Sequence, residues 1–225
     1  MGDVNEPTAS LLARGPWAPE DVDVRWHQAA YEPSLEQTAA ADAQVAELSS
    51  RGSPAHDGMA ARMRDHEARD GGLWMELQPA RWALRLVDGE ACDSLTALCV
   101  VRREDGWWLA GRRAAWLATW AERWALGAGG AVEVGESPVE TLFRELDEEW
   151  QLRPVRSAVE ALVRLPNGVA MLVGQATVAT DAEPVPDAEH DEFAWWPPDP
   201  GDWPGEADWR VRRMGTLLAQ GSASP

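Results

Sequence analysis

The sequence contains no lysine and no isoleucine, so its 20 basic residues are all arginine. That bias reads as a GC-rich coding sequence rather than a functional choice. No run of 18 apolar residues occurs, and the opening "MGDVNEPTAS" lacks both a basic start and an apolar core, so nothing in the chain argues for membrane insertion or export. A cytoplasmic location is expected. The two cysteines, Cys92 and Cys99, have no CxxC or Cys/His partner nearby, which argues against a disulfide framework or a structural zinc site and for buried thiols. A net charge of −18 repels a nucleic-acid backbone, so no nucleic-acid partner is expected. What the chain has in excess is tryptophan, 14 of them, and indoles are costly to expose unless they pack or stack.

At 225 residues the chain can bury a sizeable core. Residues 1–20 and 221–225 carry Pro, Gly and Ser without periodicity and are expected to be flexible ends. Residues 21–92 read as a small α+β prefix: a helix over Ser34–Leu48 opened by a Ser34/Gln37 capping box, then two strands around "RDGG". Residues 93–220 then give strands ("SLTALCVVRRED", "GWWLAGRR"), an acidic helix, further strands around "PNG", a short strand "DEFAWW" stopped by prolines, and an amphipathic closing helix. This order predicts an α/β fold with helices on both sides of a mixed sheet.

The acidic helix carries the chemistry. Ser137, Pro138 and Glu140 specify its start, and it is predicted over Pro138–Trp150. Val139, Leu142, Phe143, Leu146 and Trp150 form its apolar face, while Thr141, Glu145, Glu148 and Glu149 crowd a neighbouring arc. Such a crowd is either a solvated charged face or a cation site. Like charges three and four residues apart repel, and the C-terminal end of the dipole adds to the cost. Hard oxygen ligands on one rigid face suit Mg²⁺ or Mn²⁺, which reverses both signs.

The stretch resembles the signature of the Nudix hydrolases, G-x5-E-x7-R-E-U-x-E-E-x-G-U with U bulky and apolar. Gly130, Glu136, Arg144, Glu145, Leu146, Glu148, Glu149 and Leu152 match at the right spacing, and chance agreement at the six single-residue positions alone is on the order of one in ten million per start site. Gln151 departs, standing where the signature has the glycine of a left-handed cap.

The resemblance implies an α/β/α sandwich around a mixed sheet and metal-dependent hydrolysis of a diphosphate linkage in a nucleoside diphosphate conjugate, whether nucleotide sugar, ADP-ribose or modified nucleotide. It implies Glu145, Glu148 and Glu149 as ligands of Mg²⁺ or Mn²⁺, with the carbonyl of Gly129 added, and a Glu136–Arg144 salt bridge holding loop and helix in register. The general base is Glu145 or one of the "EHDE" acids Glu189, Asp191 and Glu192, with Glu192 foremost among these loop acids. Arg102, Arg103, Arg112 and Arg113 are candidate phosphate contacts, Arg102 and Arg113 foremost. Trp116, Trp120 and Trp124 recur every four residues and either stack a base, Trp124 above all, or form one packed stripe. A small-molecule diphosphate is the expected partner, and a homodimer stays open. A ligand-binding regulator without turnover is the rival reading; an isomerase would need Cys99 as a nucleophile inside an apolar strand.

Overall fold

The computed structural model describes residues 9–53, 57–69, 71–87 and 92–221. Strands β1 (Ser10–Trp17) and β2 (Val22–Trp26) precede helix α1 (Leu35–Ser50), after which β3 (Met59–Arg69) and β4 (Gly72–Arg81) form a hairpin. A 3-10 turn at Trp82–Leu86 leads to β5 (Leu95–Arg103), β6 (Trp108–Arg113), β7 (Trp124–Leu126) and β8 (Ala128–Ala131). Helix α2 (Pro138–Trp150) is followed by β9 (Arg156–Arg164), β10 (Ala170–Val178), β11 (His190–Trp196) and helix α3 (Trp209–Gly221). The main sheet runs β1-β9-β10-β5-β6-β11, with β7 on β6 and β8 on β5, and only β10 and β5 are parallel. It is the mixed sheet expected.

Residues 1–20 are a correction. Residues 1–8 lie outside the described residues, but Ser10–Trp17 form an edge strand on β9 and bury Ala13 and Trp17. The sequence hid this strand behind Gly15 and Pro16, and an edge is where a strand tolerates proline. Residues 222–225 of the expected tail also lie outside the described residues, and Gly221 is the last residue of α3.

One buried cluster joins the two halves of the chain: Met63, Leu73, Met75 and Leu77 of the three-stranded sheet β2-β4-β3 pack with Leu95, Ala97, Leu142, Leu146 and Trp150. The helix face predicted from the 100° period is therefore the face that is buried. A second cluster under α3 takes Trp108, Trp196, Trp203, Val211 and Leu218. Five of the 14 tryptophans, Trp17, Trp108, Trp150, Trp196 and Trp203, are buried, with Trp108 edge-on to Trp203 at 5.7 Å and Trp196 tilted against Trp203 at 5.1 Å. No helix among the described residues is long and apolar enough to cross a membrane.

Candidate active site

Helix α2 starts as its sequence dictates. Ser137 Oγ accepts the Val139 amide at 3.2 Å, and Glu140 accepts the Ser137 amide at 2.7 Å. The helix ends at Gln151 in the left-handed conformation (φ 53°), so glutamine does adopt the glycine geometry. Two free carbonyls at that end are claimed by the segment before β11: Val185 donates its amide to Trp150 O at 2.9 Å and Asp187 to Glu149 O at 3.0 Å. This lays residues 185–190 along the acidic end of α2.

Arg144 is the hub of the loop-to-helix contacts. Its Nε donates to Glu136 Oε1 at 2.9 Å and its Nη2 to Glu136 Oε2 at 3.2 Å, while Thr141 Oγ1 donates to the same carboxylate at 2.7 Å. Burial pushes Glu136 up, but Arg144, Thr141 and the Glu133 amide together hold it below the usual carboxylate range. Arg144 Nη1 also donates to Glu145 at 2.8 Å and to Glu148 at 3.0 Å. The repulsion among the helix acids thus has an internal offset that the spacing alone did not reveal.

The three helix acids differ sharply in setting. Glu148 is exposed and Glu145 half-buried, while Glu149 is only 3% accessible. Burial raises Glu145 and pushes Glu149 well above the ordinary carboxylate value; the Gly129 amide, bonded to Glu149 Oε1 at 3.0 Å, works against the second shift, and the charges of Glu145 and Glu189 add to it. The other oxygen, Glu149 Oε2, is buried with no hydrogen-bond partner. Gly130 makes room for Glu145, because a Cβ there would lie 2.0 Å from Glu145 Oε1.

These features fit a hard dication: oxygen donors on one rigid face, one orphaned oxygen among them, and a glycine cradle against a second carboxylate. Among the described residues, no three acid, histidine or cysteine side chains are gathered into a ready-made cage. Arg144 Nη1 stands between Glu145 and Glu148 and would compete with a cation for their oxygens. Gly129 enters the site through its amide, at Glu149, and through its place in β8 opposite Leu98.

Of the other sequence candidates, Arg113 joins the site: it donates to Glu189 at 3.4 Å, and its charge favours ionised Glu149. Among the "EHDE" acids it is Glu189 whose charge reaches Glu149, whereas Glu192 is exposed on β11 opposite Arg112 and Asp191 is exposed near Arg112. Arg102 lies over the Trp108 ring at 4.3 Å and lines an open cavity of about 300 Å³ with Arg103, Arg156 and Thr177. Trp124 packs its ring on Trp196 at 5.6 Å in the core under α3, and Trp116 and Trp120 stand in turns with 41% and 38% exposure, not in a helical stripe.

The sequence reading missed His190, the one neutral base in a run read only for its acids. Its buried ring lies 4.3 Å from that of Trp150, with Nδ1 3.3 Å from Asp187 and Nε2 3.7 Å from Glu149 Oε2. Burial holds its pKa below the ordinary histidine value and favours the neutral ring, against the opposing pull of Asp187. Cys99 is buried in β5 and its thiol is pushed up to about 12 by burial and by Glu149, the setting of a core thiol and not of a nucleophile. Cys92, by contrast, is half-buried and contacts Gln37 Nε2 at 3.2 Å.

A family model described as the NUDIX domain matches residues 94–214, more than half of the chain. Among solved structures, the chain is similar to MutT of Methanosarcina mazei Go1, with 22% identity, 58% of this chain and 96% of that one covered, and a TM-score of 0.45. It is similar to the NUDIX domain of Shewanella oneidensis NrtR complexed with ADP ribose, with 19% identity, 58% and 89% covered, and a TM-score of 0.48. It is also similar to a C. elegans Ap4A hydrolase, with 19% identity, 57% and 96% covered, and a TM-score of 0.45. No curated protein matches the sequence.

Proposed function

The chain belongs to the Nudix family, and from that premise we propose that it hydrolyses a diphosphate linkage in a nucleoside diphosphate conjugate with Mg²⁺ or Mn²⁺. The observation that carries the reading is the pairing of Glu145, Glu148 and Glu149 on one face of α2 with a buried, unpartnered Glu149 oxygen. Those three carboxylates would hold the cation. When bound, it would screen the diphosphate and acidify a water.

The remaining work falls to the protein's own groups. Arg144 fixes the loop bearing Glu136 to the helix, so the acids keep their relative positions. His190 and Asp187 wall the site at Glu149 and help exclude water. Glu189, raised by burial and held by Arg113, is the best-placed loop acid to take a proton. Nucleotide sugars, ADP-ribose and modified nucleotides are the substrate classes to assay, and a cytoplasmic site of action is part of the same proposal.

A panel of such conjugates assayed with each cation tests it. Turnover by the wild type and its loss in Glu149→Gln and Glu148→Gln are the expected results; undiminished rates in both variants refute the cation assignment. One observation favours a second reading, in which the domain binds a nucleotide metabolite without cleaving it: Arg144 already engages Glu145 and Glu148. Tight binding across the panel with no hydrolysis would select that reading.

A further inference from the structure

Arg85 belongs to the 3-10 turn after β4, outside the family-matched residues. Backbone bonds dock that turn onto the site. Trp82 donates its amide to Gly58 O at 2.9 Å just before β3, and Ala61 of β3 donates to Val132 O at 2.8 Å, beside the Ala60–Glu133 bridge. Val132 and Glu133 begin the loop that carries Glu136 into α2. The dock sets this turn beside the strand that meets that loop, and Arg85, half-buried and 5.7 Å from the centre of the Trp82 ring, lies where the charge of Glu145 on that helix is felt.

Glu145 does not neutralise it, because that carboxylate is bonded to Arg144 at 2.8 Å. Among the described residues no carboxylate forms an ion pair with Arg85 and no acceptor takes its hydrogens. Burial lowers its pKa to about 10, and the charge of Glu145, felt across space, acts the other way. In a chain of net charge −18 a half-buried cation with no carboxylate partner among the described residues is anomalous, since desolvating a charge costs free energy that only a paired anion returns. The guanidinium fork suits two oxygens of one phosphate group.

We propose that Arg85 is a substrate-binding residue that takes oxygens of the diphosphate, so that the leading segment completes an active site otherwise built by residues 94–214. The proposal deepens the hydrolase reading and rests on it for the identity of the anion. It also gives the segment before β5 a function.

Methylenediphosphonate, which resists hydrolysis, serves as the probe in the presence of Mg²⁺, with affinity measured by calorimetry on the full chain. Arg85→Gln is expected to weaken binding about 10- to 100-fold, the loss of a charge-assisted pair. Arg85→Lys keeps the charge without the fork and is expected to recover part of that loss. Where a conjugate is turned over, the Gln variant raises KM far more than it lowers kcat. Wild-type affinity in Arg85→Gln overturns the proposal, as does a wild type that does not bind the probe. A Tm more than about 5 °C below wild type in both variants assigns Arg85 a structural role instead. Binding that depends on Arg85, with no conjugate cleaved, leaves the proposal standing and sinks the hydrolase reading alone.

Discussion

Glu149 accepts the Gly129 amide at 3.0 Å through one oxygen and leaves the other buried with no hydrogen-bond partner, although His190 Nε2 stands 3.7 Å away. Helix and strand β8 are thus tied together through a carboxylate that the fold alone does not satisfy. An orphaned buried polar atom costs about 1–3 kcal/mol, and here it sits on a group whose ionised form is disfavoured by burial.

The first prediction follows from the disfavoured charge, which a glutamine removes while keeping a polar atom in place. Because the folded-state pKa of Glu149 is raised, the folded protein binds a proton more readily than the unfolded chain, and ionised Glu149 weakens the fold at neutral pH. Glu149→Gln should raise Tm in EDTA at pH 7.5 by about 2–10 °C, at roughly 2–4 °C per kcal/mol for a chain of this size. The gain should shrink as pH falls towards the unfolded carboxylate value of about 4.3 and vanish below it. Added Mg²⁺ should stabilise the wild type and not the variant. Thermal melts at several pH values, with and without cation, check all three statements.

Glu136 predicts the opposite sign. Its folded pKa is depressed, so its contribution is present above the unfolded value and lost as pH falls through the folded one. Glu136→Gln should lower stability at pH 7 by about 1–3 kcal/mol, as expected for a half-buried charge-assisted pair. The difference from wild type should close in acid. Urea melts at pH 7 and pH 3.5 measure it, and an undiminished gap at the lower pH would count against the pairing with Arg144.

Gly130→Ala tests the cradle. The added Cβ would lie 2.0 Å from Glu145 Oε1, so the carboxylate must swing away while the backbone can stay. Turnover should fall about 100-fold or more, the scale for a misplaced catalytic group, with far-UV circular dichroism unchanged. Gly135→Ala supplies the contrast: no atom lies within 4 Å of its Cβ but φ is +91°, so the cost there falls on stability.

Gln151→Gly returns the left-handed cap to the residue that adopts it without strain. It should stabilise the protein by about 1 kcal/mol and leave kinetic constants within a factor of two. A differential scan together with one progress curve decides the matter.

Much of this was legible in the sequence because it is local. The capping boxes at Ser34 and Ser137, the 100° period of Val139, Leu142, Leu146 and Trp150, and the "RDGG" hairpin are all set by residues within a few positions of each other. The salt bridge of Glu136 and Arg144 came only with the resemblance to the Nudix signature. What escaped depends on distant partners. Residues 10–17 form a strand only because β9 offers an edge, and Trp124 looked like part of a stripe until the chain folded its ring onto Trp196. His190 stands beside Glu149, and the charge of Glu145 is felt at Arg85, across more than 40 residues, a distance at which no periodicity operates.

The backbone bond from Ala61 to Val132 has a practical corollary for anyone trimming the chain. A fragment beginning near residue 93 would keep every helix carboxylate yet strip Met63, Leu73, Met75 and Leu77 from the core cluster that also holds Leu142, Leu146 and Trp150, and remove the Ala61 amide from the Val132 carbonyl. Such a fragment should emerge as a sticky, loosely knit species, and its silence in an assay would say nothing about the intact enzyme.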